Sequence, residues 1–270
     1  MGTACQPPVW IAPYLYMGRK QVEKTGADLS KAAFYETQYY SGLAPEPRFQ
    51  KVLAIAGNIH GERLLDIGCG DGTFTVLLKN ALRSYEAAGI EISGEAVKIS
   101  REKGIDACQI DIDMETFPFR DEYFDVIYCG EVIEHIFDTD CVLHEIYRTL
   151  KPSGYCIITT PNLASWANRL ALLLGFQPFA TSVSPNHEGA GKFIMKGDEG
   201  QWGHIRVFTL RALKDLVRIH GFKIQKLIGC PVTVKTSRYM KFSTIINLTD
   251  RLVSNITPLS SRIIMTVKKV

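Results

Sequence analysis

Two groups of residues in this sequence have the side chains and the spacing to do chemistry. Asp66, Glu91 and Asp111 each close a short apolar run that is typical of a buried strand. Because the carboxyl ends of parallel strands meet at one edge of a sheet, we expect these acids to line one rim. Glu131 begins the second group, which follows the next apolar run and also contains Glu134 and His135. Two carboxylates and an imidazole provide a general base or the ligands of a divalent ion.

Three glycines at alternate positions, Gly68, Gly70 and Gly72, follow Asp66. Glycine is favoured where the backbone takes a positive φ or lies against a ligand, so this turn is predicted to bind one. A dinucleotide-binding turn reads G-x-G-x-x-G, and this spacing differs from it. Asp66 and Asp71 flank the turn and would repel a phosphate, which favours a ligand with a cationic group and a sugar.

The acids that end the next two predicted strands complete a nucleoside site. The carboxylate of Glu91 can accept hydrogen bonds from two ribose hydroxyls, and that of Asp111 can accept one from a nucleobase amino group. Asp113 competes for the second role. We rank Asp111 first because it falls at the predicted end of the strand.

The second group depends on local geometry. If Glu131 begins a helix, then Glu131, Glu134 and His135 stand at i, i+3 and i+4 and share one face. The preceding strand ends at the same rim as the glycine turn. That face is therefore expected to look towards the bound cofactor.

The elements that position these residues alternate between strand and helix patterns. This alternation predicts an α/β fold: a doubly wound, Rossmann-like, mostly parallel seven-stranded sheet with helices on both faces. The predicted strands are 63–66, 85–92, 107–112, 124–129, 155–160, 222–229 and 263–268, and the predicted helices are 31–40, 49–58, 73–82, 94–103, 139–150, 165–174 and 209–220.

The alternation is interrupted in two places, which divide the chain. Residues 1–48 are predicted to form an N-terminal extension or lid before a single domain at 49–270. Within that domain, residues 161–205 form an insertion after the fifth strand, on the substrate side. Long irregular segments of this kind usually have a function.

Composition narrows the classes of protein. The formal charge of +3 is mild and the Lys and Arg residues are scattered, so nucleic acid is disfavoured as a partner. The seven cysteines form no C-x-x-C pair, which favours reduced thiols and a cytoplasmic location. No signal-peptide pattern or spanning apolar stretch is found. Nothing in the sequence indicates the oligomeric state.

Several segments, in this order, resemble the motifs of class I S-adenosylmethionine-dependent methyltransferases: residues 64–72, Glu91, Phe117-Pro118-Phe119 before residues 124–127, and residues 150–154. The resemblance covers about 63–162 and implies S-adenosylmethionine as the cofactor. It implies that the methionine part contacts the turn, that Glu91 binds ribose and that Ile92 packs beside adenine. The full set of implied cofactor residues is Asp66, Gly68, Cys69, Gly70, Gly72, Glu91, Ile92, Asp111, Ile112 and Gly130.

The Glu-x-x-Glu-His segment is similar to that of ubiquinone-pathway O-methyltransferases and of small-RNA 3′-terminal 2′-O-methyltransferases. This resemblance implies a site for Mg²⁺ or another divalent ion formed by Glu131, Glu134, His135 and, as fourth ligand, His204. Many methyltransferases carry the segment without a metal. In that alternative, His135 is the catalytic base, and Glu131 or Glu134 sets its tautomer.

We therefore expect O-methylation of a small-molecule hydroxyl that is aromatic, part of a sugar or linked to a lipid. A lipid-linked acceptor would imply peripheral contact with a membrane, and the apolar residues of 165–174 would either receive its tail or pack onto the sheet. N- or C-methylation and a non-catalytic S-adenosylmethionine-binding module remain as alternatives. A nicotinamide-dependent oxidoreductase is disfavoured by the glycine spacing.

Overall fold

The computed structural model describes residues 46–184, 189–193, 203–233 and 240–270. The predicted helix at 31–40 therefore lies outside the described residues. The helices are α1 Pro47–Ala56, α2 Thr73–Leu82, α3 Gly94–Glu102, α4 Thr139–Thr149, α5 Trp166–Leu173, α6 Leu210–Ile219 and α7 Met240–Val253. The strands are β1 Arg63–Ile67, β2 Glu86–Glu91, β3 Asp106–Gln109, β4 Phe124–Gly130, β5 Leu150–Pro161, β6 Phe222–Cys230 and β7 Arg262–Lys269.

The strands form one sheet in the order β3-β2-β1-β4-β5-β7-β6. Strands β1 to β5 pair in parallel, whereas β7 runs antiparallel to both of its neighbours, β5 and β6. The predicted seven-stranded, mostly parallel Rossmann-like sheet is confirmed. The chain order reverses between β1 and β4, and ligands of such sheets bind beyond the carboxyl ends of the strands at this point.

Helices cover both faces of the sheet, as predicted. On one face, an apolar layer contains Val52 of α1, Leu78 of α2 and Val97 of α3. On the other face, Ile146 of α4 and Val217 of α6 pack against the sheet. Both layers exclude water from the strands, so the polar residues at the strand ends are presented by a rigid support.

Two predicted strand boundaries are wrong, and the first of them affects the site. Strand β3 ends at Gln109 rather than at residue 112, so Asp111 lies in the turn beyond it. Strand β5 begins at Leu150, which the sequence pattern assigns to the preceding helix. Leu150 pairs with Phe124, and a bulge between Phe124 and Val126 absorbs the turn-like residues that follow Leu150.

Helix α7 has no counterpart among the predicted elements. Within the described residues, no helix combines the length and the apolar composition needed to cross a bilayer. The free cysteines among the described residues are Cys69, Cys108, Cys129, Cys156 and Cys230. Cys141 is disulfide-bonded, so the prediction of reduced thiols is wrong for this residue.

Candidate active site

The glycine turn joins β1 to α2. Gly68, Gly70 and Gly72 have φ values of 71°, 52° and 74°, the left-handed region in which a side chain is strained. A Cβ on Gly68 would lie 2.4 Å from Cγ2 of Val132, whereas a Cβ on Gly70 would have no atom within 4 Å. Gly68 is thus required for packing. Gly70 faces open space, as expected of a backbone that lies against a ligand.

Glu91 holds this turn in place. Its Oε2 accepts a hydrogen bond from the Gly70 N–H (3.0 Å), and its Oε1 accepts from the N–H groups of Ile92 (2.8 Å) and Ser93 (3.0 Å). Each carboxylate oxygen has two acceptor directions, so one direction of Oε2 remains for a ligand. The predicted role of Glu91 as a ribose acceptor therefore sits beside a structural role that the sequence pattern does not reveal.

Asp66 lies under the turn, near the end of β1, and is almost fully buried. Its Oδ2 accepts a hydrogen bond from the Thr75 hydroxyl at 2.7 Å. Its Oδ1 is buried and has no hydrogen-bond partner among the described residues. Burial raises the pKa of Asp66 to about 7, against the lowering effect of the Thr75 hydrogen bond. A cationic ligand group nearby would compensate the buried carboxylate.

Asp71, by contrast, is already neutralised by its neighbours. Its carboxylate accepts hydrogen bonds from the N–H (2.9 Å) and the hydroxyl (2.7 Å) of Thr73, and it forms an ion pair with Lys103 Nζ at 2.7 Å. It fixes the first turn of α2. Because its charge is compensated, only Asp66 retains the electrostatic preference against a phosphate that the sequence pattern assigns to both acids.

The two acids beyond β3 differ in their contacts. Asp113 Oδ1 accepts hydrogen bonds from the N–H groups of Phe137 (2.8 Å) and Asp138 (3.5 Å), so it anchors the segment that follows His135. Asp111 Oδ1 accepts from the Asp113 N–H at 3.1 Å, which forms a local turn. The assignment of the adenine edge to Asp111 remains a prediction, and Asp111 lies beyond the end of β3 rather than at its last residue.

The remaining predicted cofactor residues lie around the same rim. Ile92 and Ile112 are half-buried just beyond β2 and β3. Cys69 is buried, with its sulfur 4.0 Å from the Ser100 hydroxyl oxygen. A Cβ on Gly130, the last residue of β4, would lie 2.0 Å from the Tyr128 hydroxyl oxygen, so packing explains glycine at this position.

The helix that would place Glu131, Glu134 and His135 on one face is not formed. Glu131 has a φ of 57°, and only Ile133–His135 form a single turn of 3₁₀ helix. The expectation that Glu131, Glu134 and His135 share one helical face is wrong for this reason. The left-handed residue turns the chain sharply, and the side chain of Glu131 separates from the other two.

Glu131 lies among cations. Its Oε2 is 2.7 Å from Arg262 Nε, its Oε1 is 3.9 Å from Arg48 Nη1, and its Oε1 also accepts a hydrogen bond from Thr159 at 2.9 Å. Burial alone would raise the pKa of Glu131, but attraction to Arg262 and Arg48 outweighs it and the pKa is lowered. The carboxylate is therefore held as an anion, which makes it a poor proton acceptor.

Glu134 is fully buried directly beside these charges. Its Oε2 accepts a hydrogen bond from the Thr160 hydroxyl (3.0 Å), whereas its Oε1 is buried with no hydrogen-bond partner among the described residues. Burial, reinforced by the negative charge of Glu131, raises the pKa of Glu134 well above its ordinary value. Such a carboxyl is stabilised by a proton or by a cation near Oε1.

The side chain of His204 lies close to the buried Oε1 of Glu134. The N–H groups of Ile205 (2.8 Å) and Arg206 (3.0 Å) donate to the carbonyl of Glu134, which brings the segment from the insertion against the 3₁₀ turn. His204 Nε2 lies 3.9 Å from Glu134 Oε1, and the rings of His204 and His135 are 4.8 Å apart. His204 Nδ1 is 2.9 Å from the carbonyl oxygen of Ala180. Since a carbonyl only accepts, Nδ1 carries a proton.

Three of the four predicted metal ligands therefore lie together. One ligand atom from each of Glu134, His135 and His204 falls within 4.8 Å of the others, and Glu131 is not in this group. Bonds of about 2.1 Å to an ion separate its ligand atoms by roughly 3 to 4 Å, so a small closure would suffice. The assignment of these residues to catalysis or to a metal remains a prediction.

Several residues at the site were not predicted. Thr159 and Thr160 bond to the two glutamates, and their only signal in the sequence is that they end an apolar run. Arg48 and Arg262 come from opposite ends of the chain, and no local pattern marks them as partners of Glu131. His187 and Trp202, which the sequence places in the insertion, lie outside the described residues.

A family model described as "Methyltransferase domain" matches residues 36–227 of this chain. A ubiquinone biosynthesis O-methyltransferase of Alkalilimnicola ehrlichii is 28% identical over 174 residues, which cover 63% of this chain and 69% of that protein. The residues that the family model matches contain the glycine turn and the Glu-x-x-Glu-His segment.

Solved structures share the fold at low sequence identity. A SAM-dependent methyltransferase of Thermotoga maritima superposes with a TM-score of 0.53 at 18% identity, covering 96% of this chain and 98% of that one. An S-adenosylmethionine-dependent methyltransferase of Mesorhizobium loti gives a TM-score of 0.56 at 15% identity, covering 84% and 100%.

Proposed function

We propose that this chain, which belongs to the methyltransferase domain family and is an S-adenosylmethionine-dependent methyltransferase, methylates a hydroxyl oxygen of a small molecule. The observation that carries the proposal is the group formed by Glu134, His135 and His204 beyond the carboxyl end of β4. It lies on the rim that also carries the glycine turn. The name of the Alkalilimnicola relative supports oxygen as the acceptor atom.

The cofactor side of the proposal rests on Asp66, Gly70 and Glu91. Bound S-adenosylmethionine supplies a methyl group that its sulfonium already activates. The open Cβ position of Gly70 lets the backbone lie against a ligand, and the remaining acceptor direction of Glu91 Oε2 suits a ribose hydroxyl. Asp66 provides a buried carboxylate that a cationic ligand would stabilise.

His135 is the proposed base. A neutral hydroxyl must lose a proton as it is methylated, and a positioned imidazole contributes roughly 10²- to 10⁴-fold to such a step. His135 is half-buried, and its backbone N–H donates to the carbonyl of Val132 at 2.9 Å, which holds its main chain at the rim. Glu134 and His204 flank it. Glu131, an anion neutralised by arginines, is assigned to holding this segment in place.

The same group fits a divalent ion, which is the second part of the proposal. Glu134 has a buried oxygen without a hydrogen-bond partner among the described residues, and the proton on His204 Nδ1 leaves Nε2 as a donor atom for a metal. Glu134, His135 and His204 would hold the ion. Mg²⁺ or a similar ion there would acidify an acceptor hydroxyl.

Methyl transfer from labelled S-adenosylmethionine to a panel of catechols, glycosides, quinone precursors and lipid-linked hydroxyls tests the proposal. We expect His135→Ala to lower kcat at least about 100-fold on the accepted substrate, with the affinity for S-adenosylhomocysteine unchanged. His144→Ala, an exposed histidine of α4, is the matched control and should keep full activity. Transfer only to amines or carbon would favour N- or C-methylation, and cofactor binding without transfer would favour a non-catalytic module.

The metal has a separate test that does not depend on turnover. We expect wild-type protein, stripped with a chelator, to bind one Mn²⁺ per chain by paramagnetic resonance, and His204→Ala to weaken that binding about 10-fold or more. His60→Ala, outside the site, is the control. Equal Mn²⁺ binding by His204→Ala and His60→Ala, or full activity of the stripped protein, would show that the reaction does not use the ion. His135 would then act as the base without a metal.

A further inference from the structure

Helix α7 exposes an apolar stripe to solvent. Ile245, Leu248 and Leu252 stand at i, i+3 and i+7, on one face of the helix, and are 64%, 59% and 66% exposed. A helix that packs on a domain normally turns such a stripe inwards. The opposite side of α7 contains Asp250, which is buried. The exposed stripe is therefore not the face by which α7 packs onto the protein.

Helix α5 presents a second stripe. Leu170, Leu173 and Leu174, at i, i+3 and i+4, are exposed, and Leu173 is 82% exposed. The prediction left two fates for this segment, and these leucines do not pack onto the sheet. The buried residues of α5 are instead Asn168 and Ala171.

The two helices are joined. The indole N–H of Trp166, at the start of α5, donates to Asp250 Oδ1 at 2.9 Å. The same carboxylate accepts hydrogen bonds from the Ser261 hydroxyl (2.6 Å) and the Val232 N–H (2.7 Å). Asp250 therefore links the first residue of α5 to α7. We call the six exposed residues of the two stripes the apolar face: Leu170, Leu173, Leu174, Ile245, Leu248 and Leu252.

The charges around the apolar face are positive. Asp250 is the only acid of the two helices, and its carboxylate is buried in the hydrogen bonds described above. Arg169 and Arg251 adjoin the two stripes and are exposed. Two exposed arginines beside stripes that carry no exposed acid match an anionic surface.

We propose that the apolar face binds the surface of an anionic lipid bilayer, with its leucines and isoleucines in the acyl boundary and its arginines among the headgroups. Exposed aliphatic stripes beside basic residues are the composition of interfacial helices. Helix α5 is the first helix after β5, whose carboxyl end lies on the same rim as the candidate site. The proposal does not depend on which atom the enzyme methylates.

A second copy of the chain fits the apolar face less well. In a twofold dimer the same patch meets itself, which would bring the arginines of two positive patches together. The cores of protein interfaces are also enriched in aromatic residues, and this face has none. Charge complementarity therefore favours an anionic bilayer over a homodimer.

Co-sedimentation with lipid vesicles tests the proposal. Wild-type protein should sediment with vesicles of phosphatidylcholine and phosphatidylglycerol, at least about tenfold more strongly than with phosphatidylcholine alone, and added salt should weaken the binding. The combined variant Leu173→Asp, Leu248→Asp, Leu252→Asp should lose at least about tenfold of the binding. Ile219→Asp is the matched control, since Ile219 is 77% exposed at the end of α6 and outside the apolar face.

Unchanged affinity for S-adenosylhomocysteine shows that each variant is folded. The single variant Arg251→Gln should weaken binding to the anionic vesicles but not to vesicles of phosphatidylcholine alone. The proposal is overturned if the wild-type protein stays in the supernatant with anionic vesicles, or if the combined variant binds as well as the wild type. A dimer in light scattering that the combined variant dissociates, without vesicle binding, would assign the apolar face to a second copy.

Discussion

Gly70 and Gly104 have the same kind of backbone but different surroundings. Both have a positive φ, 52° and 80°, and a Cβ on either would have no atom within 4 Å. Gly104 lies in an exposed turn between α3 and β3, whereas Gly70 lies in the predicted cofactor turn. Substituting each of these glycines therefore distinguishes the destabilisation caused by backbone strain from the loss of affinity caused by blocking a ligand.

We therefore expect Gly70→Ala and Gly104→Ala each to lower the free energy of unfolding by about 1–2 kcal/mol. Only Gly70→Ala should weaken binding of S-adenosylhomocysteine, by about tenfold or more, because its methyl group would occupy ligand space. Urea unfolding and titration calorimetry measure the two effects. Equal cofactor affinity in both variants would show that the ligand does not lie against Gly70.

The buried carboxyl of Asp66 predicts a pH dependence of cofactor binding. With a pKa of about 7 it is largely protonated at pH 6, and a cationic ligand group favours its ionised form. Affinity for S-adenosylhomocysteine should therefore rise about tenfold from pH 6 to pH 8 and level off above the pKa. Calorimetry in buffers of different ionisation enthalpy should detect proton release at pH 6.

Asp66→Asn should bind S-adenosylhomocysteine more weakly than the wild type does, and its affinity should change little between pH 6 and pH 8.

The effect of rising pH on protein stability is opposite in sign to its effect on cofactor affinity. Because the folded pKa is raised, this group contributes most to stability below its unfolded pKa, and the contribution is lost as pH rises through about 7. Asp66→Asn should consequently be more stable than the wild type at pH 8. If the variant is no more stable there, burial does not raise the pKa of Asp66 as described.

Ion pairs connect three segments that are distant in sequence. Arg262, the first residue of β7, contacts Glu131 beyond β4 (2.7 Å) and Glu46 before α1 (3.2 Å). Arg48 of α1 lies 3.9 Å from the same Glu131. This network, Glu46–Arg48–Glu131–Arg262, holds the left-handed turn at Glu131 and thereby the position of the 3₁₀ turn that carries Glu134 and His135.

Arg262→Met would leave the Glu131 carboxylate buried with only the distant Arg48. We expect a loss of about 3–5 kcal/mol in the free energy of unfolding, since the remaining charge is no longer compensated. Arg218→Met, which breaks the exposed pair with Asp215, should cost less than about 1 kcal/mol. Urea unfolding of the two variants compares them directly, and similar losses would show that the network does not stabilise the turn.

The sequence predicts the elements better than it predicts how they meet. The strand patterns locate β1, β2 and β4 within two residues, because apolar runs bounded by glycine or acid have one interpretation in a parallel sheet. Helix α7 was missed because apolar residues occupy its exposed stripe as well as its packed side, which obscures a helical period. The left-handed Glu131 has no signal, since a non-glycine residue rarely takes that conformation.

The contacts between elements at the candidate site could not be predicted from the sequence either. The proximity of His204 to Glu134 depends on two backbone hydrogen bonds across 70 residues, which no spacing rule encodes. Only the resemblance to the methyltransferases identified His204 in advance. The same resemblance groups Glu131 with the other three ligands. It carries no information about Arg262 and Arg48, which neutralise the Glu131 carboxylate in this chain.

Strand β7, the last in chain order, lies inside the sheet rather than at its edge. Strand β7 pairs with β5 on one side and β6 on the other, and Ile263, Ile264, Met265 and Val267 are fully buried. Full burial of such a side chain contributes about 2 kcal/mol, so these four contribute about 8 kcal/mol. That is comparable to the entire stability of a typical domain, about 5–15 kcal/mol.

A chain that ends at Ser261 should therefore show no cooperative unfolding transition and no binding of S-adenosylhomocysteine, because both β5 and β6 lose their common partner and β5 exposes an unpaired edge. The network at Glu131 would also lose Arg262. A chain that ends at Lys269 is the control and should match the wild type, since Val270 is largely exposed. Cooperative unfolding of the shorter chain, followed by circular dichroism, would mean that the five parallel strands form an independent folding unit.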